Sequence, residues 1–118
     1  MRALLTLCFC VFSIAAHAEV DLKRFLENYD GAAIAEKQHL AERLLDMQYG
    51  MAWTNAVIEA ETGTHFYCPP QTSPLTGEQL VDMLRKNAAQ DPRLNNISFG
   101  LAILSTLRKT FPCGEKPN

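Results

Sequence analysis

Apolar positions along this chain recur at intervals of three and four, the spacing of one face of an α-helix. The first such run covers Asp21–Tyr29, with Leu22, Phe25, Leu26 and Tyr29 on one side, and Asp30-Gly31 follows as a turn. From Ala32 to Ala60 there is no proline and a single glycine, Gly50, among many good helix formers. Ile34, Ala41, Leu44, Leu45, Gln48, Met51, Ala52 and Asn55 fall on one stripe of this segment. Glu36, Lys37, Glu42, Arg43 and Asp46 fall mainly off it. The spacing predicts one long helix, bent near Gly50. Its second half, Tyr49 to Ile58, carries no charge. A helix that is apolar nearly all round is expected to be buried on several sides. This segment is therefore expected at the centre of the domain, with Gly50 and Ala52 admitting a close neighbour. Trp53 reads as a core residue, with an interface anchor as the alternative.

Thr62-Gly63-Thr64 ends the long helix, and Glu61–Ser73 reads as a loop. Within it Phe66-Tyr67-Cys68-Pro69-Pro70 is extended, because a residue before proline is pushed out of helical dihedrals. Thr76-Gly77-Glu78-Gln79 has the form of a capping box. The helix it opens runs to about Gln90, with Leu80, Val81, Leu84 and Ala88 inward, and Asp91-Pro92 stops it. Asn95 or Asn96 is expected to cap a last helix. That helix places Ile97, Leu101, Leu104 and Leu107 on one face and Arg108 and Lys109 in its final turn, where cations suit the helix dipole. Pro112-Cys113 ends it, and a polar tail follows from Gly114. No run of alternating β-branched residues and no hairpin turn competes. The expected fold is all-α: one small four-helix domain with a long central helix.

The first 18 residues stand apart. Arg2 precedes an uncharged apolar stretch from Ala3 to Ile14, and Ala16-His17-Ala18 is the small-x-small pattern of a signal-peptidase site. The stretch is shorter than the roughly 20 residues that span a bilayer. We expect a cleavable secretory signal over residues 1–18, a mature domain over 19–118, and a periplasmic location. Of the 11 Lys and Arg residues, the signal takes one, leaving ten against 13 acidic residues. This mildly acidic balance argues against nucleic acid, which needs a basic face, and against anionic membrane surfaces.

The four cysteines become two, Cys68 and Cys113, once the signal is removed. In an oxidising compartment they most simply form one disulfide, with free thiols or an intermolecular bridge as alternatives. No catalytic set emerges. His65 and Cys68 are three apart, but only His39 and Cys113 remain as further soft ligands, too few for a zinc site once Cys113 is paired. A Cys–His nucleophile would need a reduced Cys68. Glu59 and Glu61, two apart, do not share a helix face. Ser73, Ser98 and Ser105 lack a glycine elbow. We expect no enzyme activity, no metal and no cofactor. The aromatic run His65-Phe66-Tyr67 either packs over the bridge or meets a partner.

The order of these features resembles the Rap1a/Tai family of bacterial immunity proteins. The resemblance is carried by Phe25-Leu26 and Tyr29 in the first helix and by Tyr49, Ala52 and Asn55 in the central one. Tyr67-Cys68-Pro69-Pro70, Leu80 and Leu84, Asp91-Pro92 and the closing Phe111-Pro112-Cys113 complete it. It implies a small all-α periplasmic protein that binds and blocks a peptidoglycan amidase toxin delivered by type VI secretion, often as a homodimer. It also supports the pairing of Cys68 with Cys113. Many members carry a further cysteine pair between the first and central helices; here Tyr29 and Leu44 or Leu45 stand in that neighbourhood. The alternative function is a periplasmic acid-stress chaperone, conceivable with 13 acidic residues to protonate. The expected partner contact is the loop Thr62–Ser73, through His65, Phe66, Tyr67, Pro69 and Pro70, because a stiffened loop loses little entropy on docking.

Overall fold

The computed structural model describes residues 19–69 and 74–114, and it is all-α. Four helices follow one another: α1 (Leu22–Gly31), α2 (Ile34–Thr62), α3 (Gly77–Gln90) and α4 (Phe99–Thr110). A short 3₁₀ turn, Pro92–Asn96, lies between α3 and α4. The expectations for residues 1–18 and for the end of the tail lie outside the described residues. Among the described residues, no helix is long and apolar enough to cross a membrane.

Two of the helices, α1 and α3, begin with a local side-chain cap. At α1 the Asp21 side chain accepts the Arg24 N–H at 2.8 Å, satisfying one of the unpaired donors of the first turn. At α3 the capping box is complete: Thr76 Oγ1 accepts from the Gln79 N–H at 3.2 Å, and Gln79 Oε1 accepts from the Thr76 N–H at 2.8 Å. Asp91 ends α3 and caps the 3₁₀ turn that Pro92 opens. Asn95 and Asn96 belong to that turn, so α4 starts later than expected, after Ser98. Ser98 makes no side-chain cap. Instead the Glu19 carboxylate accepts the Gly100 N–H at 2.7 Å, while Val20 O accepts the Phe99 N–H at 2.9 Å.

The core gathers Leu22 and Phe25 of α1, Leu44 of α2, Tyr67 of the loop, four residues of α3 and three of α4. On α3 the inward residues are Leu80, Val81, Leu84 and Ala88, as their spacing predicts. On α4 the inward face is Ala102, Ile103, Thr106 and Leu107, and Leu101 is exposed. The expected face of α4 is thus rotated, because the helix is set by contacts at its start and not by Asn95 or Asn96. Phe25 stacks on Phe99 with ring centres 4.1 Å apart, joining α1 to α4. The α3 N-terminus meets α2 so closely at Gly77 that a Cβ there would collide with the Ala41 backbone. Arg85 of α3 grips Asp30 at the end of α1 through two hydrogen bonds of 2.8 and 2.9 Å.

The long helix departs from expectation in one respect. Its buried residues, Ala41, Leu44, Gln48 and Asn55, form a single narrow stripe. Trp53 is 73% exposed, Val57 55% and Tyr49 43%, and Ile34 at the start is also exposed. The second half of α2 is therefore no hub, and Trp53 is not a core residue. The reason is geometric: α1, α3 and α4 pack on one side of a 29-residue helix, and so small a domain has nothing left to cover the other side. An uncharged surface does not bury itself without a neighbour. The helix continues through Gly50, where a Cβ would meet nothing within 4 Å.

Candidate functional site: the stapled loop after the long helix

The last turn of α2 is closed by its own threonine and glycine. Thr62 Oγ1 donates to Ile58 O at 2.7 Å, and the Gly63 N–H reaches Glu59 O at 2.8 Å. Gly63 sits in the left-handed region at φ 69°, which a residue with a Cβ adopts only with strain. The chain then reverses and returns to Asn55 of α2.

Three independent ties hold this returning segment. Asn55, buried on α2, acts as a short strand: its Oδ1 accepts the Phe66 N–H at 2.7 Å and its Nδ2 donates to Tyr67 O at 2.8 Å. The Cys68 N–H donates to Phe111 O at 2.9 Å, beyond the end of α4. Cys68 and Cys113 are joined by a disulfide of 2.09 Å. The bridge is intramolecular, which removes the alternatives of free thiols and of a link between molecules.

Burial divides the expected contact residues. Phe66 points out and is about half exposed; Tyr67 points in and is fully buried. Burial pushes the Tyr67 phenol above its usual range, and the neighbouring Gln48 side chain opposes that shift. Tyr67 is thus a core residue, unavailable to a partner, and the expectation for it is corrected. His65 and Pro69 are exposed, and Pro70 lies outside the described residues together with Gln71–Ser73. His65 Nε2 is 3.3 Å from Glu59 Oε1, which ties the loop tip back to α2.

The segment separates two shallow grooves. One is lined by Ala52, Asn55, Ala56, Glu59, His65, Cys68 and Pro69. The other, more apolar, is lined by Met47, Gly50, Met51, Thr54, Phe66 and Leu104. Among the described residues, no group of three or more His, Cys, Asp and Glu is placed to hold a metal ion. The arrangement presents one aromatic ring, one imidazole and a proline on a pinned backbone. Sequence reasoning missed the clamp by Asn55. The available signal was a polar residue on an otherwise apolar stripe, which must find partners when buried. In comparisons with known proteins, no family model, no curated protein and no solved structure matches this chain.

Proposed function

We infer that this protein is an exported binding module: a periplasmic immunity protein that blocks a peptidoglycan amidase toxin of type VI secretion. The observation that carries the proposal is the segment His65–Pro69. It presents His65, Phe66 and Pro69 outward on a backbone fixed by Asn55, by the Cys68–Phe111 hydrogen bond and by the disulfide. A loop fixed before binding loses little entropy on docking into an enzyme cleft. The resemblance of the sequence to immunity proteins supplies the class of partner.

The test is co-purification of the mature protein from the periplasm of cells carrying the toxin, followed by an amidase assay on peptidoglycan. A stoichiometric amidase complex with inhibited hydrolysis is expected, weakened by Phe66→Ala and His65→Ala at unchanged thermal stability. Absence of any cell-wall hydrolase would end the proposal. Suppression of aggregation at acid pH without a bound hydrolase would replace it with the chaperone.

A further inference from the structure

Between α1, the first half of α2 and the start of α4 lies a cleft of about 360 Å³, large enough for a small organic molecule. On α2 its wall is Leu40, Leu44 and Met47, which follow the three-and-four spacing of one helix face. Phe25 of α1 and Phe99 of α4 line it too, with their rings stacked 4.1 Å apart. Val20 adds a further apolar side chain. Met47 and Val20 stay in contact with water, so this apolar wall is open to the outside. Apolar surface gathered in one concavity, and not scattered singly, is what a ligand site offers.

Three polar side chains border the cleft, Glu19, Asn28 and Arg43, and they are not equivalent. The Glu19 carboxylate is engaged, since it accepts the Gly100 N–H at 2.7 Å. Arg43 is exposed and forms no ion pair among the described residues. A free guanidinium beside an apolar wall suits an anionic head on an apolar body, because it offers a carboxylate two parallel donors. Asn28 adds an exposed amide that can donate to the same head.

The fold also sets the direction and length of the occupant. Only Ala32 and Ala33 join α1 to α2, so Asn28, in the last turn of α1, belongs to the Leu40 end of the cleft. Glu19 belongs to the Met47 end: a Cβ on Gly100 would lie 2.8 Å from Glu19 Oε1 and 3.8 Å from the Met47 methyl. An anionic head is therefore repelled by Glu19 and held by Arg43 and Asn28, and the apolar body points toward Met47 and Phe99. Leu40 to Met47 covers about 10 Å of helix at about 1.5 Å per residue. With carbon–carbon bonds of about 1.5 Å, that is the extended length of a saturated chain of about eight carbons.

We propose that this cleft binds a free medium-chain monocarboxylate, with its carboxylate on Arg43 and its alkyl chain along Leu40, Leu44 and Met47 under the Phe25–Phe99 stack. No residue of the loop His65–Pro69 lines the cleft, so the proposal is independent of the immunity reading and of any toxin. Calorimetric titration of octanoate into the mature, disulfide-intact protein at pH 7 is expected to saturate at one molecule per chain, with a negative heat-capacity change from apolar burial. Octanol and octylamine should bind about tenfold more weakly, for want of the charge-assisted hydrogen bonds. Arg43→Gln should weaken octanoate about tenfold and leave octanol unchanged, a split that a merely structural role would not produce. Met47→Glu, at an exposed helical position, should abolish binding of both at unchanged Tm. Amide shifts in a nuclear magnetic resonance titration should centre on Phe25, Arg43 and Phe99. No saturable binding at millimolar octanoate would overturn the proposal, as would equal affinity for the acid and the alcohol. Shifts centred on Tyr49 and Trp53 would also overturn it. Retention on phosphatidylglycerol vesicles without binding of free octanoate would replace the small molecule with a lipid surface.

Discussion

The carboxylate of Glu19 accepts the backbone N–H of Gly100 at 2.7 Å, so a residue before α1 caps the start of α4 across 81 positions of sequence. It supplies what Ser98 does not, an acceptor for an unpaired N–H, and a negative charge at the positive end of the helix. Glu19→Ala should lower the unfolding free energy by about 1 kcal/mol, and the Tm by about 4–8 °C for a domain of this size. Gly100→Ala should break the same hydrogen bond, because a Cβ there would lie 2.8 Å from Glu19 Oε1 and displace it. The better helix propensity of alanine offsets about 0.5–1 kcal/mol, so the stability of this variant should stay close to the parent's. A chain beginning at Val20 should share the loss of Glu19→Ala. Scanning calorimetry checks all three.

Asn55 is the second lever. Asn55→Ala strands the Phe66 N–H and the Tyr67 carbonyl together, and is expected to cost about 2–3 kcal/mol. Hydrogen exchange at Phe66 should accelerate while that of α3 stays slow. Tyr67→Phe should behave oppositely. The Tyr67 hydroxyl is buried with no hydrogen bond of good geometry, so its removal should leave stability within about 1 kcal/mol of the parent or raise it.

The disulfide closes a loop with a sequence separation of 45. Chain-entropy reasoning puts its contribution at about 4 kcal/mol, a large part of the total for a small domain. Urea unfolding of the Cys68→Ser/Cys113→Ser variant should show a correspondingly lower midpoint. Partner binding through His65 and Phe66 should weaken with it, since one of the three ties on the loop is gone.

Acid should weaken the hold of α3 on α1. Hydrogen bonds from Arg85 are the main cause that keeps the Asp30 carboxyl below its ordinary value of 3.8; desolvation opposes them, and the charges of Arg85 and Lys37 add to them. A carboxyl lowered on folding stabilises the fold above its unfolded value, and that stability is lost as pH falls through the lower folded value. Thermal stability should therefore decline as the pH drops below about 3.8. Asp30→Asn should be less stable at neutral pH and show a shallower acid limb, measured by Tm against pH.

Much of this architecture was legible because local chemistry agreed with the global fold. The Thr76–Gln79 box, the stop at Asp91-Pro92 and the inward set Leu80, Val81, Leu84 and Ala88 all sit where short-range rules put them. The errors arose where distant contacts decide. Nothing near Ser98 in sequence signals that Glu19 will cap α4, so the register of that helix was misjudged. The burial of Tyr67 and the exposure of Phe66 depend on how the returning segment is hung on Asn55. Trp53 misled for a different reason: composition reports that a surface is apolar, whereas burial depends on whether any element remains to cover it.

The bridge from Cys68 to Cys113 also makes a closed ring that contains α3, the 3₁₀ turn and α4, with α1 and α2 outside it. Tension applied to the two ends of the chain crosses that ring through sulfur. The enclosed helices carry none of the load, and roughly 160 Å of extended chain stays hidden until the bond is reduced. Under pulling, this protein is a short molecule: only the helices before the bridge can be drawn out.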